Sequence, residues 1–211
     1  MAQLLSVNIA HVLQGGWKPD VGRTGIDKRP VGARVRLADD QVEGDTVADV
    51  RHHGGYDQAV YAYAREDALW WARELARDVP PGSFGENLST CELEVTGAVI
   101  GERWSIGSAV LEVSCPRIPC RTLAGFWNIP DMIKRFTSVG RPGAYLRILT
   151  EGDVGAGDVV DVVHRPAHGV TIGETFRALT GDRTLAHRLL EAPELPEEAH
   201  RSARRWLAGM R

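Results

Sequence analysis

The heptad Ser114-Cys115-Pro116-Arg117-Ile118-Pro119-Cys120 places a thiol beside two arginines, at a point where the chain must change direction. Residues 109–113 alternate apolar side chains as a strand does. Two prolines follow, each fixing φ and removing a backbone donor, so the strand is expected to end there. Residues 121–126 can then start a helix, with Cys120 at its entrance. Backbone N–H groups and the helix dipole favour an anion at such an entrance. Arg117 and Arg121 add positive charge, and all of these influences lower a thiol pKa. Cys120 is therefore a candidate metal ligand or nucleophile. A free cysteine is also commonly a small buried core residue.

The next candidate is Arg51-His52-His53-Gly54-Gly55. Histidine can ligate a metal or move a proton near neutral pH. Neighbours on an extended chain point opposite ways, so at most one of His52 and His53 faces a given site. The glycines allow close approach of backbone to a ligand and can offer N–H donors to an anion. Lys28, Arg29, Arg51, Arg117, Arg121 and Arg141 fall in expected loops, and if they converge they suit a small anion such as phosphate. Each can equally be a solvated charge.

Several chemistries lack their patterns. The Cys115-x4-Cys120 spacing matches no usual zinc pair. Three cysteines fall short of the four thiolates that iron–sulfur clusters normally need. No Gly-x-Gly-x-x-Gly follows a strand and no Gly-x-Ser-x-Gly occurs, so neither a dinucleotide fold nor a hydrolase elbow is indicated.

The elements that would position these residues read as mainly β with added helices. Strands are expected over 3–10, 33–37, 59–63, 109–113, 144–149 and 159–163, with further short ones within 93–114. The stretch 14–32 reads as a long polar connection. Helices are expected over 65–77, 119–126 and 130–137. Many short strands with glycine turns suggest a β-barrel or sandwich. After Arg165-Pro166 no strand is expected. Thr171-Ile172-Gly173-Glu174 is a capping box, Thr184 to Glu191 a second helix, and Pro196-Glu197-Glu198 opens a third. The third helix carries Ala199, Ala203, Trp206, Leu207 and Met210 on one face. The expected domains are residues 1–165 and 166–211, with the three helices packing on each other and on the strands.

Length and an apolar fraction of 43% fit one sizeable core with a small addition. A net charge of −3 carries no nucleic-acid signature. No leader and no membrane-length apolar run is seen, and the few cysteines fit a reducing cytoplasm.

Five motifs occur in order: Glu43-Gly44-Asp45, Arg51-His52-His53-Gly54-Gly55, Ala59-Val60-Tyr61-Ala62-Tyr63, Phe84-Gly85-Glu86-Asn87-Leu88, and Pro116-Arg117-x-Pro119-Cys120. Together they resemble MOSC-domain proteins, named for the C-terminal part of molybdenum-cofactor sulfurase. The upstream Thr24-Gly25-Ile26-Asp27-Lys28-Arg29-Pro30-Val31 and the helical tail resemble the YiiM-like branch, with its three-α-helix C-terminal domain. The resemblance covers nearly the whole chain. It implies a MOSC β-barrel, the molybdenum cofactor (Mo-molybdopterin), and a cysteine matching Cys120 as molybdenum ligand or sulfur carrier. It implies a molybdenum-dependent oxidoreductase that reduces N-hydroxylated bases. Lys28, Arg29, Arg51 or Arg117 would hold the pterin phosphate, with His53 and Gly54 also at the cofactor. His52 or His53 would supply a proton, and Asn87 would orient substrate or cofactor. Electrons would come from a separate reductase, since no flavin or iron–sulfur motif is present. The expected partners are thus a small N-hydroxylated substrate and that reductase, with no nucleic acid and no membrane, and the helical tail is a candidate homodimer contact. Two alternatives stand beside this. One is a persulfide carrier using Cys120, disfavoured by the lack of a pyridoxal-phosphate or rhodanese-like partner domain. The other is a non-catalytic cofactor-binding module. Cys115 departs from the expected pattern and is either a second redox thiol or core.

Overall fold

The computed structural model describes residues 1–14, 22–51 and 53–209. His52 and Met210 therefore lie outside the described residues. The chain begins with β1 (Gln3–Ala10), as its alternation predicts. β2 (Leu13–Gln14) and β3 (Arg23–Thr24) pair as a small ribbon. β4 (Lys28–Val31) returns antiparallel to β1. Its polar sequence hides it from periodicity. As an edge strand it tolerates Pro30, whose missing donor breaks no interior ladder. β5 (Val35–Ala38) and β6 (Gln41–Val42) form a hairpin.

β7 (Val60–Ala64) is buried at every position and leads directly into α1 (Arg65–Leu75). Then come β8 (Leu88–Cys91), β9 (Arg103–Ile106) and β10 (Ala109–Pro116). Two short helices, α2 (Arg121–Trp127) and α3 (Met132–Val139), precede β11 (Ala144–Thr150), β12 (Gly152–Val154) and β13 (Val160–His164). The tail holds α4 (Ile172–Thr180), α5 (Ala186–Leu189) and α6 (Glu197–Gly209). The capping box is present: the Glu174 N–H donates to Thr171 Oγ1 at 3.1 Å. The expected helix from Thr184 forms as a 3₁₀ turn followed by the short α5.

Eight strands share one mixed sheet in the order β13-β9-β10-β11-β7-β8-β1-β4. β7 and β8 pair in parallel, and every other pair in this sheet is antiparallel. A second sheet has the order β12-β5-β6. The expected barrel is not formed by a closed ladder. The start of β1 reaches the segment before β13 through a bridge between Gln3 and Val159 and a few backbone bonds around Leu4 and Gly157. The other half of β1 pairs with β4, so the sheet runs on past the seam. One further expectation is corrected. β10 does not stop before the prolines but continues to Pro116, opposite Ala144. Only β11 flanks it as a strand there, so the missing Pro116 donor disrupts no second ladder.

The core is built from the inner sheet face and the tail. Trp104, Leu111 and Val113 belong to the same buried apolar cluster as Ile172, Ala178, Leu189, Ala199 and Ala203. The tail helices thus pack on each other and on the strands. A second cluster is aromatic, with Tyr61, Tyr63, Trp71, Phe84, Trp127 and Phe136 around α1 to α3. Phe84 stacks on Tyr63 with centroids 4.4 Å apart, which fixes the loop that carries it. Among the described residues no helix is long and apolar enough to cross a membrane.

Candidate active site

A cleft of about 850 Å³, counting its open mouth, is lined by Arg23 to Ile26, Lys28 and residues 45–49 together with His53, Gln58, Arg117, Cys120 and Tyr145. Gly25 lets its segment and the one bearing Thr46 pack closely: a Cβ there would lie 2.2 Å from the Thr46 carbonyl oxygen. The turn carrying His53 needs Gly54, which sits at φ +80° and presses against Val47.

Cys120 is half-buried and stands at the N-cap of α2, with extended backbone. Burial alone would raise its pKa. The His53 side chain, the Arg117 guanidinium and the Leu123 backbone N–H oppose burial and hold the thiol at about 6. At neutral pH the sulfur is mostly thiolate. Cys115 differs. Burial is the main cause that pushes its thiol up to about 12, despite the neighbouring Ser114 hydroxyl and Arg147. The Tyr145 hydroxyl lies 3.4 Å from His53 Nδ1, and burial holds that phenol at about 12.

Arg117 is buried and pinned. Nη1 donates to the Phe84 carbonyl at 2.6 Å, and the guanidinium lies 5.3 Å from the Tyr61 ring centroid. The loop bearing Phe84 is itself held by Glu86. That carboxylate accepts from Gly82 N–H at 2.7 Å, Phe84 N–H at 2.9 Å and the Ser89 hydroxyl at 2.9 Å. Ser83 on the same loop accepts from Trp127 Nε1 at 3.0 Å. The Phe-Gly-Glu-Asn and Pro-Arg-x-Pro-Cys motifs are thus two halves of one clamp behind the thiol.

Also lining the cleft, Lys28 forms a buried ion pair with Asp45. Asp45 also accepts from Ala10 N–H and from Asn87 Nδ2, both at 2.8 Å. Burial works against the Asp45 charge, but the Lys28 ammonium and these two donors outweigh it and keep its pKa below the ordinary value. The Asn87 carbonyl Oδ1 accepts from Tyr61 N–H at 3.2 Å. Asn87 therefore ties the Tyr61 strand to Asp45 while lining the cleft.

Of the residues singled out from sequence, Lys28, His53, Gly54, Asn87, Arg117 and Cys120 line the cleft. Arg29 and Arg51 do not. Both are exposed, and Arg29 pairs with Asp27 at 2.7 Å. Arg141 stacks over Trp70 and pairs with Asp67, away from the cleft lining. Arg23, Gln58, Thr122 and Tyr145 also line it. No motif marks the first three, and Tyr145 reads in sequence as an ordinary strand residue. Only the pairing of β11 beside β10 reveals it. Among the described residues no three His, Cys, Asp or Glu side chains converge as a metal cage. A metal held at Cys120 would therefore have to bring ligands of its own. The donor set fits such a group: a soft thiolate, with exposed Arg23, the Asp45-paired Lys28 and Arg117 lining the same cleft toward its anionic part.

Residues 49–161 match the MOSC domain family, which is more than half of the chain. The chain belongs to that family. It is similar to Protein YiiM of Escherichia coli (strain K12), 33% identical over 184 residues that cover 84% of this chain and 81% of YiiM. The fold is similar to the crystal structure of YiiM from Geobacillus stearothermophilus, with a TM-score of 0.82, 26% identity, and coverage of 98% of this chain and 100% of that one. A protein named Reductase from Gibberella moniliformis (strain M3125 / FGSC 7600) is 31% identical over 152 residues, 68% of this chain and 26% of that protein.

Proposed function

We propose that the protein is a molybdenum-cofactor-dependent reductase of N-hydroxylated compounds, with Cys120 as the protein ligand to molybdenum. The observation that carries this is the Cys120 thiol, held at about 6 by His53 and Arg117 where it lines an open cleft. Membership of the MOSC family and the reductase name of a relative support the same chemistry. The resemblance noted above supplies the substrate class.

The overall change breaks an N–O bond, forms an N–H bond and releases water, consuming two electrons and two protons. When bound, the cofactor supplies the two-electron redox couple, and a separate reductase restores it. The chain does the rest. Cys120 offers a thiolate without first losing a proton at neutral pH. Arg117 holds its charge beside that sulfur. Arg23, exposed at the cleft, and Lys28, paired with Asp45 there, are the cations suited to the cofactor phosphate. His53 delivers a proton toward the departing hydroxyl. Its Nδ1 lies 3.4 Å from the Tyr145 hydroxyl, which orients the ring in the cleft.

The test is molybdenum content and N-hydroxyl reduction in protein from a cofactor-competent host, alongside Cys120→Ser and Cys115→Ser. Near-stoichiometric molybdenum and turnover in the parent and in Cys115→Ser, with turnover lost in Cys120→Ser, is the expected result. No molybdenum in the folded parent, together with a persulfide on Cys120, would overturn the proposal.

A further inference from the structure

Two arginines stand next to the chemistry in sequence but do not enter the cleft. Arg51 opens the Arg-His-His-Gly-Gly motif and Arg121 follows Cys120. Both are exposed, and among the described residues neither pairs with a carboxylate. Their neighbours place them on the rim. The His53 N–H donates to the Asp49 carbonyl at 3.1 Å, closing a turn with Val50 and Arg51 at its tip. Asp49 and His53 both line the cleft, so the tip stands at its edge. Arg121 lies between Cys120 and Thr122, and Ile118 follows Arg117, all three of these neighbours being lining residues. Consecutive Cα atoms are only about 3.8 Å apart, so neither Arg121 nor Ile118 is far from the opening.

The fold does not account for these side chains. Val50 is 77% exposed, more than any other large apolar residue described except Met1, and Ile118 is 44% exposed. Arg121 opens α2, whose first turn holds no acid, although the helix dipole disfavours a cation there. A single exposed valine or unpaired surface arginine is ordinary. Apolar side chains interleaved with unpaired arginines around one opening have the composition of a protein interface. Charge complementarity names the partner. The chain carries a net charge of −3, so an acidic protein gains nothing from its overall charge, and a local cationic rim decides where that protein lands. We propose that the rim formed by Val50, Arg51, Ile118 and Arg121 docks an acidic electron-carrier protein, which presents its redox group to the cleft. This rests on the reductase reading, in which the carrier is oxidised by the two electrons that each N–O cleavage consumes and the two protons come from solvent. The docking itself does not require turnover.

The experiment uses a flavodoxin and a plant-type ferredoxin as acidic carriers and cytochrome c as a basic one. Calorimetry measures their binding to the parent, Arg51→Glu, Arg121→Glu, Val50→Ser and an Arg73→Glu control on α1, at low and moderate salt, on metal-free and molybdenum-loaded protein. Reduction of N-hydroxybenzamidine is driven in parallel by the reduced carrier and by reduced methyl viologen, a small donor that needs no docking. Arg51→Glu and Arg121→Glu are each expected to weaken binding of an acidic carrier about tenfold at low salt and less as salt rises. Both should slow carrier-driven turnover and leave viologen-driven turnover and molybdenum content at parent values, as Arg73→Glu leaves every readout. Val50→Ser should weaken binding at both salt levels. Arg121→Glu melts no lower than the parent, because an acid replaces a cation in the first turn of α2. The proposal is overturned if neither acidic carrier binds the parent, if binding ignores both arginines, or if cytochrome c binds equally well. Loss of molybdenum or of viologen-driven turnover from the variants would assign the arginines to the cofactor and overturn it too. Arginine-dependent carrier binding without turnover from either donor would sink the reductase reading and leave the docking surface standing. Viologen-driven turnover without carrier binding would do the reverse.

Discussion

Cys115 lies on β10 with the Asp57 carbonyl 4.0 Å from its sulfur and Ser114 Oγ at 3.6 Å, and burial holds it as a thiol. Cys120, a short way along the same chain, has left the strand and faces His53 and Arg117. The difference predicts an alkylation profile for the metal-free protein. Iodoacetamide should modify Cys120 with a rate that rises through about pH 6 and then levels, while Cys115 stays unmodified at neutral pH. Arg117→Gln should move the inflection upward by about one unit, as expected when a nearby cation is removed. Peptide mapping across pH checks both. The folded thiol titrates below its ordinary value. The stability it contributes is therefore fully present above about 9, diminishes as pH falls, and is lost below about 6. The place of Cys120 at a helix entrance was legible in the sequence, from the prolines and the helical pattern that follow the strand, but core and reactive readings stayed open there because the approach of His53 is not written locally. Tyr145 was not legible, since a hydroxyl beside His53 exists only once β11 is placed.

The loop from Gly82 to Glu86 shows how an element without regular structure is made rigid. Glu86 uses both carboxylate oxygens on three donors, and Phe84 fills the aromatic cluster, so Arg117 always meets its carbonyl in the same place. Gln in place of Glu86 has only one acceptor oxygen, so an amide N–H must face a backbone N–H. Glu86→Gln is expected to cost about 2–3 kcal/mol, read by denaturant unfolding, and to lower activity by loosening Arg117. Glu86→Asp, which keeps two acceptors on a shorter arm, should lose less. At this scale the sequence was informative where periodicity was strong. β1, β7, α1, α3, β11 and the Thr171 cap fall close to where alternation and capping residues put them. β4 was missed because its residues are charged or proline, and the strand is stabilised by pairing with β1 and not by a buried face. The run of β10 through Pro116 was missed for a related reason: a proline is harmful to a strand only where a neighbour needs its N–H.

At the scale of the molecule, Arg147 joins the sheet to the tail. It is buried, pairs with Asp57 and Glu112, and donates to the Glu194 carbonyl at 2.7 Å. Arg147→Met removes the cation from between two carboxylates and frees the segment before α6. We expect a cost of about 3–5 kcal/mol and a lowered single thermal transition, measured by calorimetry. A separate low transition for the tail would show that the helices melt on their own. No local pattern hints at this joint, because a buried arginine on a strand is indistinguishable from an exposed one until its neighbours are known. The open strand order has the same origin: β1 is shared among β4, β8 and the segment before β13, and no local pattern records which half of a strand goes to which partner. That sharing bears on how the protein is made. During synthesis β1 emerges long before β8 or residues 157–160, so its apolar face and hydrogen-bonding edges wait unpaired while most of the chain is still being added. Such distant pairings slow folding and leave a sticky strand exposed. Yield in a foreign host should therefore depend on synthesis temperature and holding chaperones well before it depends on the supply of any cofactor.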